Sequence, residues 1–507
     1  MPGRPRGNVV AHVIGIDLGS QSLKGLLLDP GGRLIGEASR EYDMHCPHPA
    51  WAEQDPADWW AALRAVVGEL MAVHRLLPAD VSAIALASQV DGIVAIDESG
   101  QTLHRAIIWL DRRAEAETEA LGKRIAPDIL FERSGLNLDS SHVAPKILWL
   151  QGHAPDAYAR ATTLHLPGSW AVGRLTGRAV VDHSNASSTL LYDVRARDWS
   201  DELLAVAGID RRLLPVVGAS TDVAGNLTAP AAMELGLTTA CLVAVGSGDE
   251  HAACLGAGVL KAGPVCDIAG TAEPVAVASD APVFDRTGLV ETHAHADPRS
   301  WLIENPGFVS GGSVRWFNDT IGRTTFDDLC ARAAEVPAGS EGAVFLPALS
   351  GAMTPRWNGR ARGVFHGLSL AHGMGHMARA VFEGCAFGLR DIVDRFTEMG
   401  LGAGEIRVVG GGSKSDLLLQ MKADVTGKQV RRVVHPEATA LGATMIAAVV
   451  AGTYASLDQA ALALVRLDDE AYQPNPATHA AYEDAYGTYR ALYDAVEPLF
   501  DREGMRA

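Results

Sequence analysis

The stretch VAVGSGDEHAACLGAG, residues 243–258, presents one carboxylate, Asp249, between glycines and a run of small residues. An apolar strand-like segment (242–245) stops at Gly246 and Gly248, and a small-residue helix is expected over 250–258. A strand–turn–helix of this kind gathers backbone N–H groups and lets a substrate approach closely. The same grammar recurs twice. Near the N-terminus, strand-like VIGID (13–17) leads to Gly19-Ser20-Gln21-Ser22 and then Lys24, and CDIAGTAE (266–273) places Gly270-Thr271 after apolar residues. Such turns suit phosphate, and a lone carboxylate among them suits a metal ion or a proton transfer. The pattern reads as an enzyme that uses ATP.

These turns need a large scaffold. At 507 residues the length predicts at least two domains. Residues 13–45 read as three strands joined by tight turns, with Pro30-Gly31-Gly32 as one of them. Asp55-Pro56 reads as the start of a helix over 57–77, and VSAIALASQ (81–89) as a buried strand. Loops are expected at 134–142 and 182–189, and AGVLKAGPV (257–265) as an interdomain joint. The second half repeats the order of the first: strands at 266–278 and 289–304, helices at 311–320, 326–335 and 376–399, a strand entering Gly410-Gly411-Gly412, then long helices. That order predicts a duplicated α/β domain around a cleft, divided as 10–257 and 258–500.

Composition excludes several classes. A net charge of −18 argues against a nucleic-acid partner, and Arg4 and Arg6 are too few to change that. Apolar runs are too short for a membrane span, so no membrane partner is expected. The six cysteines show no metal-ligand spacing and read as reduced thiols of a cytoplasmic protein. A homodimer is left open.

Taken together, these residues resemble the FGGY carbohydrate kinases, over roughly 13 to 455. GVFHGLSLAHGMGHMARAVFE (363–383) satisfies that family's C-terminal signature; IDLGSQSLK (16–24) is similar to its first phosphate loop, GSGDEHAA to its catalytic-aspartate loop, and GGGSKSD (410–416) to its adenosine loop. Within the family, HPAWAEQDPADWW (48–60) and APKILWL (144–150) are similar to xylulokinase segments. Val143 and Gly168-Ser169 depart from them, and two further departures matter more. Gln89-Val90-Asp91-Gly92 stands where xylulokinases have Gln-Met-His-Gly, and Glu250 stands where Asn or Gln is frequent.

The resemblance implies two ribonuclease-H-like (actin-like ATPase) domains around a central cleft. It also implies transfer of phosphate from ATP, with Mg²⁺, to a small ketose. D-xylulose is the leading substrate; ribulose, erythrulose and glycerol are alternatives, and a non-catalytic actin-like nucleotide-binding protein or a plain ATP hydrolase is the rival reading. Asp249 would be the base, with helix N-cap as its bland alternative. Asp17 would position Mg²⁺, with Asp249 beside it, although an Asp at a strand end also simply forms turns. Gly19, Ser20, Gln21, Ser22 and Lys24 would hold phosphates, with Gly270 and Thr271 opposite. Gly311-Gly312 and Trp316 would line the nucleotide site, and Gly410, Gly411, Gly412 and Ser415 the adenosine. Gln89, Val90, Asp91, Trp109, Asp111, Asp249 and Glu250 would meet the sugar. His293/His295 and His372/His376 have ligand-like spacing but no evident third ligand, so metal binding there is not expected.

Overall fold

The computed structural model describes residues 11–402 and 404–500; Arg4 and Arg6 lie outside them. The chain packs as two compact units. The first comprises residues up to Leu260 together with Thr292–Leu302 and Glu437–Val465; the second comprises Lys261–Glu291, Ile303–Pro436 and the residues from Arg466 on.

In the first unit a mixed sheet runs in the order Val223–Asn226, Leu242–Ala244, Val81–Ser88, His12–Leu18, Ser22–Leu28, Leu34–Glu41. The last three form the expected antiparallel meander. His12–Leu18 and Leu242–Ala244 both lie parallel to Val81–Ser88. That central strand, VSAIALAS, is buried almost throughout, as a strand covered on both faces must be. One cover is the helix Pro56–Val73, opened by Asp55, whose carboxylate accepts from Ala57 N at 2.9 Å. Its Trp59, Leu63, Val66 and Leu70 belong to the core that includes Ile14, Ile16 and Leu86. This helix stops at Val73, four residues before the expected end, where Leu76 N donates to Met71 O and Arg75 turns left-handed at φ 52°.

The other cover comes from far along the sequence. The helix Ala438–Val450 lies against the strand His12–Leu18 and against the helix Asp249–Gly256. The approach is close enough to require glycine. A Cβ on Gly442 would stand 2.0 Å from the Ala252 carbonyl oxygen, one on Gly256 2.0 Å from that of Ala438, and one on Gly15 2.2 Å from Thr444 N. Each clash is with backbone, which cannot rotate away. Gly442→Ala is therefore expected to cost about 1–3 kcal/mol or more through overpacking, read as a lowered thermal unfolding midpoint. An unchanged midpoint would show that the two helices can separate freely.

The second unit is built chiefly on a sheet in the order Trp301–Val309, Ala272–Ser279, Pro264–Ile268, Glu405–Val409, Gln429–Arg432. The helix Met374–Glu398 supplies its largest buried face, with Phe382, Phe387 and Phe396 among its core residues. Gln429–Arg432, a strand with only Val430 fully buried, was not legible as one because its alternation is Gln, Val, Arg, Arg. The expected strand at 289–304 is two, Glu291–Ala294 and Trp301–Val309, divided by a turn in which Ser300 N donates to Asp297 O. The expected loop at 182–189 contains a short helix, His183–Ser187, capped by Asp182. All six cysteines are free thiols, as expected.

Candidate active site

In the first unit three parallel strands end side by side. Asp17 and Leu18 pair with Ala87 and Ser88, while Ser247 and Gly248 pair with the same two residues from the other side. The residues that follow, Gln89 and Asp249, are thus brought beside Asp17 although they are far apart in sequence. Parallel sheets place ligands at these carboxyl ends.

Asp249 is the first residue of the helix Asp249–Gly256, and its Oδ1 accepts from Glu250 N at 3.0 Å. The turn before it is braced from below: Ser184 Oγ accepts from Gly248 N at 2.8 Å and donates in turn to Asp182. Asp182 also accepts from Asn185 N and Nδ2. Burial raises the Asp182 carboxyl, and these donors oppose the rise.

Asp17 sits opposite Lys24 in the antiparallel register, and Lys24 Nζ lies 2.5 Å from Glu437 Oε2. Burial pushes Asp17 up to about 7, with Lys24 pulling it down and Glu437 pushing it up. A half-buried carboxylate whose nearby lysine is itself paired to Glu437 fits a divalent cation. Tyr42 joins the two aspartates: burial first, then the charges of Asp17 and Asp249, keep its hydroxyl protonated. That hydroxyl donates to Gly19 O and so fixes the turn 19–22, in which Gly19 N donates to Ser22 O at 3.1 Å. Ser20 is tied by its carbonyl, which accepts from Gln54 Nε2 at 2.7 Å. Gln21 is exposed, and its carbonyl accepts from Tyr42 N.

Gln54 then reaches the strand end at Gln89, where its Oε1 accepts from Gln89 Nε2 at 2.8 Å and from Trp59 Nε1 at 3.2 Å. Val90 and Asp91 follow in a tight turn, with Asp91 in the left-handed region at φ 57°. The Asp91 carboxylate meets His142 Nδ1 at 3.2 Å. Lys146, fully buried, donates to the carbonyls of Asp91 and Ile108 at 2.6 and 2.9 Å and to that of Ser141. Burial lowers Lys146 to about 8, and Asp91 and Asp111 oppose the fall. Asp111 is fully buried with both oxygens engaged, by Ala52 N at 2.6 Å and by the Arg113 guanidinium. Trp109 and Glu250 are half-buried.

The second unit gathers its glycine turns around Ala269–Thr271. Gly311 N and Gly312 N donate to Gly270 O and Thr271 O at 3.2 and 3.0 Å, and Gly412 N donates to Ala269 O at 2.9 Å. A Cβ on Gly311 would stand 2.3 Å from Gly270 O, and one on Gly410, at φ 84°, would stand 2.9 Å from Ala269 O. Three segments separated in sequence therefore form one backbone surface of turns. Gly411 has open space where a Cβ would point. Trp316 is 37% exposed and stacks on Phe345, with ring centroids 6.2 Å apart. Ser415 Oγ caps the helix Asp416–Thr426, accepting from Leu418 N at 3.4 Å. Beneath the Gly270-Thr271 turn, Lys422 Nζ lies 2.5 Å from Asp267 and 2.9 Å from Glu273.

The pair His372/His376 has an ordinary structural role. His372 Nδ1 and His376 Nδ1 accept from Ser369 N and Gly373 N, closing the turn into the helix Met374–Glu398. His295 Nε2 donates to Val259 O at 3.0 Å. His251, unread in the sequence, stacks edgewise on His293 at 5.7 Å, and burial keeps it neutral.

Family models place the chain. Residues 12–256 match the FGGY family of carbohydrate kinases, N-terminal domain, and residues 267–451 match the C-terminal domain of the same family. The chain belongs to the FGGY family of carbohydrate kinases. Xylulose kinase from Lactococcus lactis is 32% identical over 96% of this chain and 97% of that protein. Glycerol kinase from Nocardia farcinica is 32% identical over 88% and 91%. The crystal structure of xylulose kinase from Rhodospirillum rubrum superposes with a TM-score of 0.89 at 30% identity, covering 97% of this chain and all of that one.

This chain is thus a sugar kinase that uses ATP, on the two-domain ribonuclease-H-like fold expected from its sequence. Among the described residues no helix is long and apolar enough to cross a membrane. Several residues that build the kinase's site had not been read from its sequence: Tyr42, Gln54, His142, Lys146, Ser184, Lys422 and Glu437. Gln54 and Lys146 carried a local signal, lying within the xylulokinase-like segments 48–60 and 144–150. The others act through contacts more distant in the chain, which no local pattern announces.

Proposed function

We propose that this kinase phosphorylates D-xylulose to D-xylulose 5-phosphate, with Asp249 accepting the proton of the attacked hydroxyl. The observation that carries this reading is the alignment of three strand ends, which sets the carboxylates of Asp17 and Asp249 beside the polar turn Gln89–Asp91. Phosphoryl transfer asks mainly for positioning, charge neutralisation and a proton acceptor. Asp249 aligns the hydroxyl and takes its proton late, once the bond from the phosphoryl group to ADP has loosened.

Asp17, with Asp249 nearby, is the residue pair that would hold Mg²⁺. The ion would supply charge neutralisation on the ATP phosphates and keep most of its water. Gly19, Ser20, Gln21 and Ser22 hold phosphate through backbone and hydroxyl groups, and Lys24 acts with its partner Glu437. In the second unit, Gly270, Thr271 and Gly312 meet the phosphates, while Gly410, Gly411, Gly412 and Ser415 take the adenosine. On the sugar side, Gln89, Asp91, Trp109 and Glu250 recognise the polyol, residues 10–257 being the sugar domain and 258–500 the nucleotide domain. Asp111 shapes the site through Arg113 and Ala52.

A second reading, a kinase for another polyol, is favoured by the glycerol kinase relative and by Asp91 and Glu250, which accept but do not donate. Coupled ADP release from the purified enzyme across a panel of ketoses and polyols tests both. D-xylulose is expected to give the highest kcat/KM. A higher value for ribulose, erythrulose or glycerol transfers the assignment to that substrate, and sugar-independent ADP release overturns the kinase reading.

A further inference from the structure

We propose that His142 is a specificity-determining residue of the sugar site, the donor that orients the Asp91 carboxylate toward a substrate hydroxyl. This inference rests on the sugar-kinase reading above.

The pair is built rather than incidental. Asp91 and His142 are 8% and 4% exposed, and His142 Nδ1 lies 3.3 and 3.2 Å from the two carboxylate oxygens. An ionised carboxylate only accepts, so Nδ1 carries the proton and donates. His142 precedes the helix Val143–His153 with extended backbone, and its imidazole makes no capping bond. Asp91 holds a left-handed backbone, a strained conformation for any residue with a Cβ, which persists where surroundings over-determine it. Lys146 is what determines it. Its ammonium donates to the carbonyls of Asp91, Ile108 and Ser141, so one buried cation joins the Gln89–Gly92 turn, the segment entering Trp109–Asp111, and the loop carrying His142. Its three donors are consumed by backbone. Orientation of the Asp91 carboxylate is therefore left to His142.

The chemistry follows from lone-pair geometry. A carboxylate offers about four acceptor directions, and fixing its rotation decides where a sugar hydroxyl must lie to donate to it. A site built to bond a hydroxyl rejects substrates that lack it there, because the buried acceptor is left unpaired. The ligand class recognised is a polyol or ketose whose hydroxyl donates to Asp91. The imidazole comes from the 139–142 loop, and the carboxylate stands on the turn.

The test uses the full-length enzyme and the sugar best turned over in the panel. His142→Leu removes the donor; His142→Asn keeps one of smaller reach; Asp91→Asn exchanges the acceptor; and the double variant His142→Leu/Asp91→Asn closes a cycle. His142→Leu is expected to lower kcat/KM for that sugar by at least about tenfold, mainly through KM for sugar, with KM for ATP within about twofold. His142→Asn should recover part of the loss and retain the substrate ranking. The double variant should lose less than the product of the single losses. Multiplicative losses, or a change falling on ATP, would overturn the role of the pair while leaving the kinase reading intact. Failure of the wild type to turn over any member of the panel would overturn both. If His142→Leu does not fold, His142→Asn and Asp91→Asn, which preserve polarity, decide the matter through the same KM split.

Discussion

Asp249→Ala is expected to lower kcat by at least about a hundredfold while ATP still binds. The substitution takes away the hydroxyl's proton acceptor and leaves the phosphate turns in place. The fold should survive it. Asp249 sits at the start of its helix, its Oδ1 accepts from the adjacent Glu250 N, and the turn is braced through Gly248 N, Ser184 and Asp182. Pre-steady-state turnover with saturating sugar and ATP, together with nucleotide binding measured by calorimetry, separates the two effects. Near-normal turnover in a folded variant would remove Asp249 from the mechanism. Loss of ATP binding as large as the loss of turnover would instead make its part in holding Mg²⁺ the dominant one.

The largest stability effect is expected at Lys422. Lys422→Met should destabilise the protein by about 3–5 kcal/mol, the range for removing one partner of a buried ionic group. The cation lies within 3 Å of two carboxylates, Asp267 at 2.5 Å and Glu273 at 2.9 Å, and all three side chains are buried. Burial works against the ammonium, yet the two carboxylates hold it charged. Asp267 is already raised to about 7, by burial first and by Glu273 next, with Lys422 as the opposing influence. Without Lys422 it must rise further. A carboxyl whose folded pKa exceeds its unfolded value binds more protons in the native state, so its support is present at low pH and lost as pH rises through the folded value. The variant should therefore be less destabilised at pH 5 than at pH 8, and adding Asp267→Asn should recover part of the loss. Urea denaturation at the two pH values measures this; a cost below about 1 kcal/mol at pH 8 would mean that water replaces the ammonium. The hairpin that Lys422 supports carries Gly270-Thr271, so residual activity should fall with stability.

Much of this kinase was legible before its structure. Strand–turn–glycine patterns depend on neighbours within about ten residues, because backbone conformation at a turn is set locally. The three glycine turns, the meander, the Asp55-Pro56 helix start and the helix carrying Asp249 were therefore readable in order and nearly in register. Two limits of local reading are visible. The helix expected to 77 ends at Val73, and the loop at 182–189 holds a capped helical turn. Both are decided by single hydrogen bonds at an end, which composition does not rank.

What the tertiary structure decided is which distant residues share a site. Pairing of Ser247–Gly248 with Ala87–Ser88 sets Asp249 beside Gln89, and only the parallel register makes them neighbours. Return of the helix Ala438–Val450 to the first unit brings Glu437 onto Lys24, against which Asp17 stands in the sheet. Lys146 and Lys422 look like ordinary helical lysines in the sequence, and burial among carbonyls or carboxylates turns them into supports of the Gln89–Gly92 turn and the Gly270-Thr271 turn. The sequence determined the local chemistry because turns and caps are short-range. The site's charges and partners were decided by the fold because burial and Coulomb interaction depend on distance in space, and neither is written in spacing along the chain.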